Sequence, residues 1–507
     1  MPTRFLKDHA ALLSLAALAV CLVVVRACRQ SITIDEADSF LLFVRRPWPL
    51  QLYPSSGNHV LNSILEWLAT SAFGIREWTI RAPAIAGAVL YIGSALWFCR
   101  LLSPRPLLQA PLFLCLVYNP MVLDYLVAAR GYSLAMGFLM AAIAVATSAI
   151  LAGSPGEPAG LRGKCILGSV FLALSFAANF SFTYADAALS VLFFWWAASR
   201  SSRAVPHRYA RLAAACFLPG LAVAGLICGS TVLGYPQSQL YFGSQSLAEM
   251  WNSLISASFD NLDSEILSPF LIRSLTTLRQ VLPYLGVVTM LVLVVAAEMS
   301  YRRSTDSRGR RLLTLTRLLA ATALAALLVH WTVFRLLHIP LPQDRTALFF
   351  VLLWALTLGA VLAVRFQSPT RDFVRSYGIG VLIAIAAFFA GCLRFSYFKQ
   401  WRFDADTRQV YWVADGLRRR CGVTDFGTDW KYTGALNVYR AAYAHDSYAA
   451  FTASMSDELP TDRDAYILYY PQSVEFIKQQ RLTVVYSDEL SGVAVAVRAC
   501  KTDQRSN

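Results

Sequence analysis

The stretch AALLSLAALAVCLVVV (Ala10–Val25) followed by RACRQSITIDEAD (Arg26–Asp38) decides how the rest of the chain is read. The first part is long and apolar enough to enter a bilayer, with Arg4 and Lys7 ahead of it. The second part leaves the lipid at Arg26 and presents Asp35 and Glu36 side by side at the water interface. Arg26 breaks the small-residue pattern that a signal peptidase needs, so the run reads as a retained anchor.

The whole chain agrees with a lipid environment. Of its 507 residues 56% are hydrophobic and 15% charged, with a mean hydropathy of +0.49. Soluble domains carry about a quarter charged residues. Further apolar runs lie at Ala82–Phe98, Leu107–Leu123, Ser133–Leu151, Cys165–Phe180, Phe182–Ala198, Leu212–Leu233, Val281–Ala297, Leu318–Leu337, Leu348–Val364 and Ile379–Leu393. With the first, they predict an α-helical polytopic membrane protein of about eleven spans.

Basic residues set the expected orientation. One alternate set of loops holds Arg4 and Lys7, Arg100 and Arg105, Arg162 and Lys164, the group from Arg200 to Arg211, the group from Arg302 to Arg317, and Arg365, Arg371 and Arg375. These are expected on the cytoplasmic side of the plasma (inner) membrane, with the N-terminus. The other loops, with Asp35 and Glu36, are then extracytoplasmic. The net charge of +14 is thereby topology, and its scatter through short loops excludes a nucleic-acid partner.

Two loops of the outer set carry helical periodicity. Val60, Leu61, Ile64, Leu65, Leu68 and Ala72 recur on one side, with His59, Asn62, Ser63 and Glu66 opposite as the wet face. Leu247, Trp251, Leu254, Ile255 and Phe259 form a second such stripe. Both fit helices lying in the membrane interface. The segment Gly153–Gly160 reads as a loop.

Residues 1–395 form the transmembrane domain and 396–507 a small extracytoplasmic α/β domain. A helix starts near Asp406, strands are expected at Val423–Phe426, Ala465–Tyr469, Leu482–Tyr486 and Val493–Val497, and helices around Leu436–Tyr443 and Ser473–Gln479. Cys421 and Cys500 in this domain face an oxidising compartment and predict a disulfide. The remaining cysteines lie in or beside apolar runs, without metal-ligand spacing.

An ordered set of short motifs adds to this. Asp35-Glu36-Ala37 is followed by Asn58-His59-Val60-Leu61-Asn62, Gly74, Arg81-Ala82-Pro83, Tyr118-Asn119-Pro120, Ala129-Arg130-Gly131-Tyr132-Ser133-Leu134 and, much later, Leu341-Pro342-Gln343-Asp344-Arg345-Thr346. The set resembles the GT-C superfamily, in the branch of dolichyl-phosphate-mannose protein mannosyltransferases and lipid A aminoarabinose transferases. It departs at His59-Val60-Leu61, where that family often has His-Pro-Pro-Leu.

The resemblance implies an inverting glycosyltransferase. A sugar leaves a polyprenyl-phosphate carrier for an acceptor hydroxyl on a lipid, glycan or protein. Asp35 matches the base that takes the hydroxyl proton, with Glu36 orienting it or binding the acceptor. Arg130 and Arg345, then Arg335 and His338, are candidates for the leaving phosphate. His59 and Asp124 are candidates for acceptor binding or support. No metal or cofactor is implied. Each has a plainer rival: snorkelling arginines, the wet face of an interfacial helix for His59 and Glu66, and a helix end for Asp124. Asp186 is expected to face the bundle interior, and Asp404-Ala405-Asp406 to cap a helix. A transporter or lipid flippase is the alternative class. It would place ionisable groups at the midplane and show paired halves, whereas these carboxylates lie at the rim.

The basic-loop pattern makes a direct prediction. Reporter fusions after Arg105, Arg208 and Arg311 will report the cytoplasm, and a fusion at the C-terminus the outside. A cytoplasmic C-terminus would separate the acidic pair from the α/β domain and refute the topology.

Overall fold

The structure, a computed structural model, describes residues 2–152, 158–200, 207–235, 239–259, 267–301, 306–366, 368–455 and 458–498. Arg203, Arg302, Arg303, Cys500 and most of the Gly153–Gly160 segment lie outside the described residues; the chain is helical again from Pro158.

Among the described residues, nine helices are long and apolar enough to cross a membrane, or ten if one bent pair counts as a single span. By this measure of length and composition the described helices do not reach the expected count of about eleven. The bent pair is Pro106–Val117 with Pro120–Val127, which meet at 58°. Pro120 cannot continue the preceding helix, and Asn119 starts a new one by accepting from the N–H groups of Met121 and Val122. The helix Thr183–Arg200 is the other shortfall. Asp186, Arg200 and the Trp195-Trp196 pair dilute its apolar content. Asp186 is buried, as its position required.

By internal packing the chain divides into two compact units. The first comprises Met1–Val24, Pro54–Asn62 and Pro83–Arg394, and holds the long helices. Its helices Ala82–Leu102 and Tyr132–Ala152 approach to backbone contact. A Cβ on Gly87 would lie 2.5 Å from the Leu134 nitrogen, and one on Gly137 2.6 Å from the Gly87 oxygen. Ser133 Oγ donates to the Ala84 carbonyl across the same crossing at 2.6 Å. Small residues and a hydroxyl do here what burial of apolar area does in water.

The second unit comprises Val25–Tyr53, Ser63–Ala82 and Phe395–Asn507. It contains a five-stranded sheet: β1 Phe426–Asp429, β2 Thr452–Ser454, β3 Ala465–Tyr469, β4 Thr483–Ser487 and β5 Val493–Val497, in the order β2-β1-β3-β5-β4. β1 is parallel to β2 and β3, while β5 is antiparallel to β3 and β4. All five residues of Val493–Val497 are buried, as in a strand covered on both faces. Helices Thr407–Cys421, Trp430–Ala444 and Tyr470–Gln479 complete the α/β layer.

Two expected strands sit at their observed bounds. The first begins three residues later than read, because Val423 only leads into it. β2 carries no apolar alternation and was not expected. Cys421 is disulfide-bonded, whereas the other described cysteines are free thiols.

The glycine crossing yields a prediction. Gly87→Val will destabilise the helix bundle by about 1–3 kcal/mol, the usual cost of overpacking. Gly93→Val, whose Cβ would meet nothing within 4 Å, will not. Denaturation of the purified protein in detergent measures both.

Candidate functional site

The acidic pair lies on a short helix, Ile34–Ser39, that begins with a capping box. Thr33 Oγ1 accepts from the Glu36 N–H, and Glu36 Oε2 accepts from the Thr33 N–H at 2.9 Å. Asp404 contributes a third cap: its Oδ2 accepts from the Ile34 N–H at 2.8 Å. The expectation that these aspartates cap a helix holds for one side chain of the two. Asp404 caps the helix of the acidic pair, and Asp406 accepts from the Tyr486 hydroxyl, making no side-chain cap of its own.

Glu36 is fully buried and faces Arg81, which is equally buried. The guanidinium grips it in a fork, Nε to Oε1 at 2.8 Å and Nη2 to Oε2 at 2.7 Å. Arg81 also donates to the carbonyls of Ala27, Gln30 and Ser31. Arg26 and Arg81 share the ring of Phe398, each guanidinium carbon 5.2 Å from its centroid. Both Glu36 oxygens are thus engaged within the protein. Asp35, one residue earlier, stays half-buried outside this fork.

The segment around the pair is built into the second unit. Ser31 Oγ donates to the Ala405 carbonyl at 2.9 Å, and Gln30 Nε2 to that of Phe395 at 3.0 Å. The Ile32 N–H donates to the buried Tyr439 hydroxyl. Gly434 lets the helix Trp430–Ala444 come close: a Cβ there would lie 3.1 Å from Asp38 Oδ1 and 3.3 Å from Ala37 Cβ. Burial first, then the nearby Asp35, Glu36 and Asp38 carboxylates, hold Asp404 well above the usual carboxylate range.

In the first unit, three other residues singled out from the sequence act on one another. His59 is buried, and burial first, then the Arg130 and Arg345 cations, hold its imidazole well below the ordinary histidine range. It is a neutral ring at pH 7. Tyr132 lies 5.8 Å away, ring to ring, and Tyr125 packs on Tyr132 at 4.9 Å. The Arg130-Gly131 pair has a steric reason: Gly131 has φ +72°, and a Cβ there would lie 2.1 Å from the Ala178 carbonyl. Asn179 Nδ2 holds the Arg130 carbonyl at 3.2 Å. Arg345 stacks on Phe242, 4.7 Å from the ring centroid.

Other expectations are displaced. His59, Asn62, Ser63 and Glu66 do not form a wet face; all four are buried, while Trp67, Leu68 and Phe73 are exposed. The helix Val60–Phe73 has turned its polar side inward, as a helix does when its surroundings are apolar and its neighbours polar. Asp124 pairs with the buried Arg394 at 3.0 Å. Arg394 was not singled out; nothing in its sequence context marks it. Arg335 is exposed over Trp331 of its own helix, and His338 is the exposed left-handed cap of that helix. Neither is among the cations acting on His59. The helix Leu247–Phe259 is present and seats Phe259 on Phe388 and Phe389.

No protein-family model and no curated protein matches the chain. Solved structures similar to it include ArnT from Cupriavidus metallidurans bound to undecaprenyl phosphate, with 12% identity, a TM-score of 0.39, and 97% of this chain and 99% of that one covered. The apo state of the same protein gives 10% identity, a TM-score of 0.38, and coverage of 96% and 97%. The archaeal oligosaccharyltransferase AglB from Archaeoglobus fulgidus, in complex with an inhibitory peptide and a dolichol-phosphate, gives 13%, a TM-score of 0.46, and coverage of 92% and 71%.

The two neighbouring carboxylates should separate by experiment. Glu36→Ala strands the buried Arg81 and will cost about 3–5 kcal/mol of stability. Asp35→Asn, which keeps the shape of the side chain and leaves the Glu36–Arg81 fork intact, will cost less than that. Equal thermal unfolding of the two variants would contradict the assignment of Glu36.

Proposed function

We propose that the protein is a membrane glycosyltransferase of the GT-C type, moving a sugar from a polyprenyl-phosphate carrier to an acceptor hydroxyl with inversion. The observation that carries this is the division of labour in the acidic pair. Glu36 is consumed in a buried fork with Arg81, and Asp35 is thereby presented from a helix that is capped three times over. A carboxylate fixed in this way suits proton abstraction from a weakly nucleophilic hydroxyl. The order of motifs from Asp35-Glu36 to Asp344-Arg345 supports the same reading.

In this reading Asp35 takes the acceptor proton as the new glycosidic bond forms on the face of the sugar opposite the phosphate. The bond from the anomeric carbon to the phosphate oxygen breaks, and the carrier leaves as a polyprenyl phosphate. Its growing charge needs fixed cations, and Arg130 and Arg345 are the candidates that the order of motifs offers. The neutral His59 between their fields adds a hydrogen-bonding group without a third charge. Glu36 and Asp124 position the backbone and touch no reactant. The acidic face is assigned to the outer side of the membrane by the basic-loop pattern.

Asp35→Asn will leave expression and folding intact and cut sugar transfer from a polyprenyl-phosphate donor by about a hundredfold to ten-thousandfold, the worth of a positioned base. Near-native turnover in that variant would remove Asp35 from the mechanism.

A further inference from the structure

Strands β1 and β3 are adjacent and parallel, so the helices that follow them, Trp430–Ala444 and Tyr470–Gln479, start at the same edge of the sheet. From that edge the chain departs in opposite directions, towards β2 from β1 and towards β5 and β4 from β3. Divergence of this kind opens a crevice outside the carboxyl ends of the strands, where open α/β sheets take their ligands.

The crevice is floored by polar atoms that the fold does not use. The Tyr432 hydroxyl, the Ser473 hydroxyl and Asp404 Oδ1 are buried and have no hydrogen-bond partner among the described residues. Tyr432 lies in the fields of Asp404, Asp429, Tyr469 and Asp488, which places its hydroxyl at the strand ends. Buried polar groups without partners cost a fold stability, so their retention asks for an explanation outside folding. Aromatic rings stand at the rim: Trp430 is 40% exposed and Tyr470 43%.

The charges tell which ligand fits. Lys431 Nζ lies over the Trp430 and Tyr469 rings at 4.9 and 5.0 Å, and 3.4 Å from Gln472 Oε1. Asp429 Oδ1 lies 3.6 Å from that ammonium and also accepts from the Lys431 N–H at the start of the helix. The Asp429 carboxylate offsets the ammonium, and the Asp404 and Asp488 carboxyl groups also act on Tyr432, so these surroundings do not favour a phosphate. What remains is a mixture of donors, acceptors and ring faces. A ligand with many hydroxyl groups and apolar C–H faces matches all three.

We propose that this crevice binds a neutral saccharide and that the saccharide is the acceptor. The second half rests on the transferase reading above. Asp404 links the two places. Its Oδ2 caps the helix that carries Asp35, and its Oδ1 is one of the unpartnered atoms beside Tyr432. A sugar held by Trp430, Tyr432 and Ser473 therefore abuts the element that presents the base.

The test uses the full-length protein in lipid nanodiscs, applied to immobilised neutral oligosaccharides of glucose, mannose, galactose and N-acetylglucosamine, with polygalacturonate as the acidic control. The native protein will be retained on at least one neutral saccharide. Trp430→Ala and Tyr432→Phe will each weaken retention about tenfold or more without lowering the unfolding temperature, because the hydroxyl removed has no partner in the fold. Asp35→Asn will bind like the native protein. Retention no greater than that of empty nanodiscs, retention on polygalacturonate alone, or unchanged binding by Tyr432→Phe would overturn the site; the last outcome assigns the hydroxyl to a buried water. Transfer by Asp35→Asn at the native rate would instead defeat the transferase reading and leave the saccharide site standing.

Discussion

The buried fork between Arg81 and Glu36 is the constraint on which the second unit is organised. Both groups are removed from water, so the pair is retained only with its remaining donors satisfied. The carbonyls of Ala27, Gln30 and Ser31 do that, and in doing so fix the path of the chain as it leaves its first long helix. The capping box adds Thr33, and Asp404 adds the remaining cap on Ile34. Every one of these bonds acts on the segment that ends at Asp35. Rigid support of this kind is what a general base requires, since proton transfer depends on geometry before it depends on acidity.

The two halves of the proposed chemistry are supported by opposite electrostatics. Around Asp404, several carboxylates share a buried region, and burial with those neighbours raises the Asp404 carboxyl well above the usual carboxylate range. Around His59, two guanidinium groups act on an imidazole that burial already keeps neutral. Arginine cannot shed its proton, so the second group stays cationic under any physiological condition. A nucleophile that must lose a proton and a leaving group that gains negative charge call for these two kinds of surroundings.

The sequence marked Asp35, Arg130 and Arg345 through residue type and order, but it left Glu36 open between orienting Asp35 and binding the acceptor. Two adjacent carboxylates look alike until a partner is assigned, and the partner, Arg81, is 45 positions away. The same limit applies to Asp124 and Arg394, paired across 270 positions. The helix Val60–Phe73 shows a different limit. Its periodicity was legible, yet periodicity does not say which side faces protein. In an apolar solvent the polar side turns inward, and His59, Asn62 and Glu66 follow it.

What the sequence by itself determined is the set of properties that depend on short windows: apolar length, the basic loops, the strands Ala465–Tyr469 and Val493–Val497, and the change of composition after Arg394. Each follows from local solvation and from a period of 2 or 3.6 residues. The tertiary structure decided what depends on distant partners. It broke one apolar run at Asn119-Pro120 into a bent pair, joined Val25–Tyr53 and Ser63–Ala82 to the C-terminal sheet, and gave Asp404 a cap far from its own helix. Hydrogen bonds and ion pairs close over hundreds of residues, and no local pattern records where a buried donor finds its acceptor.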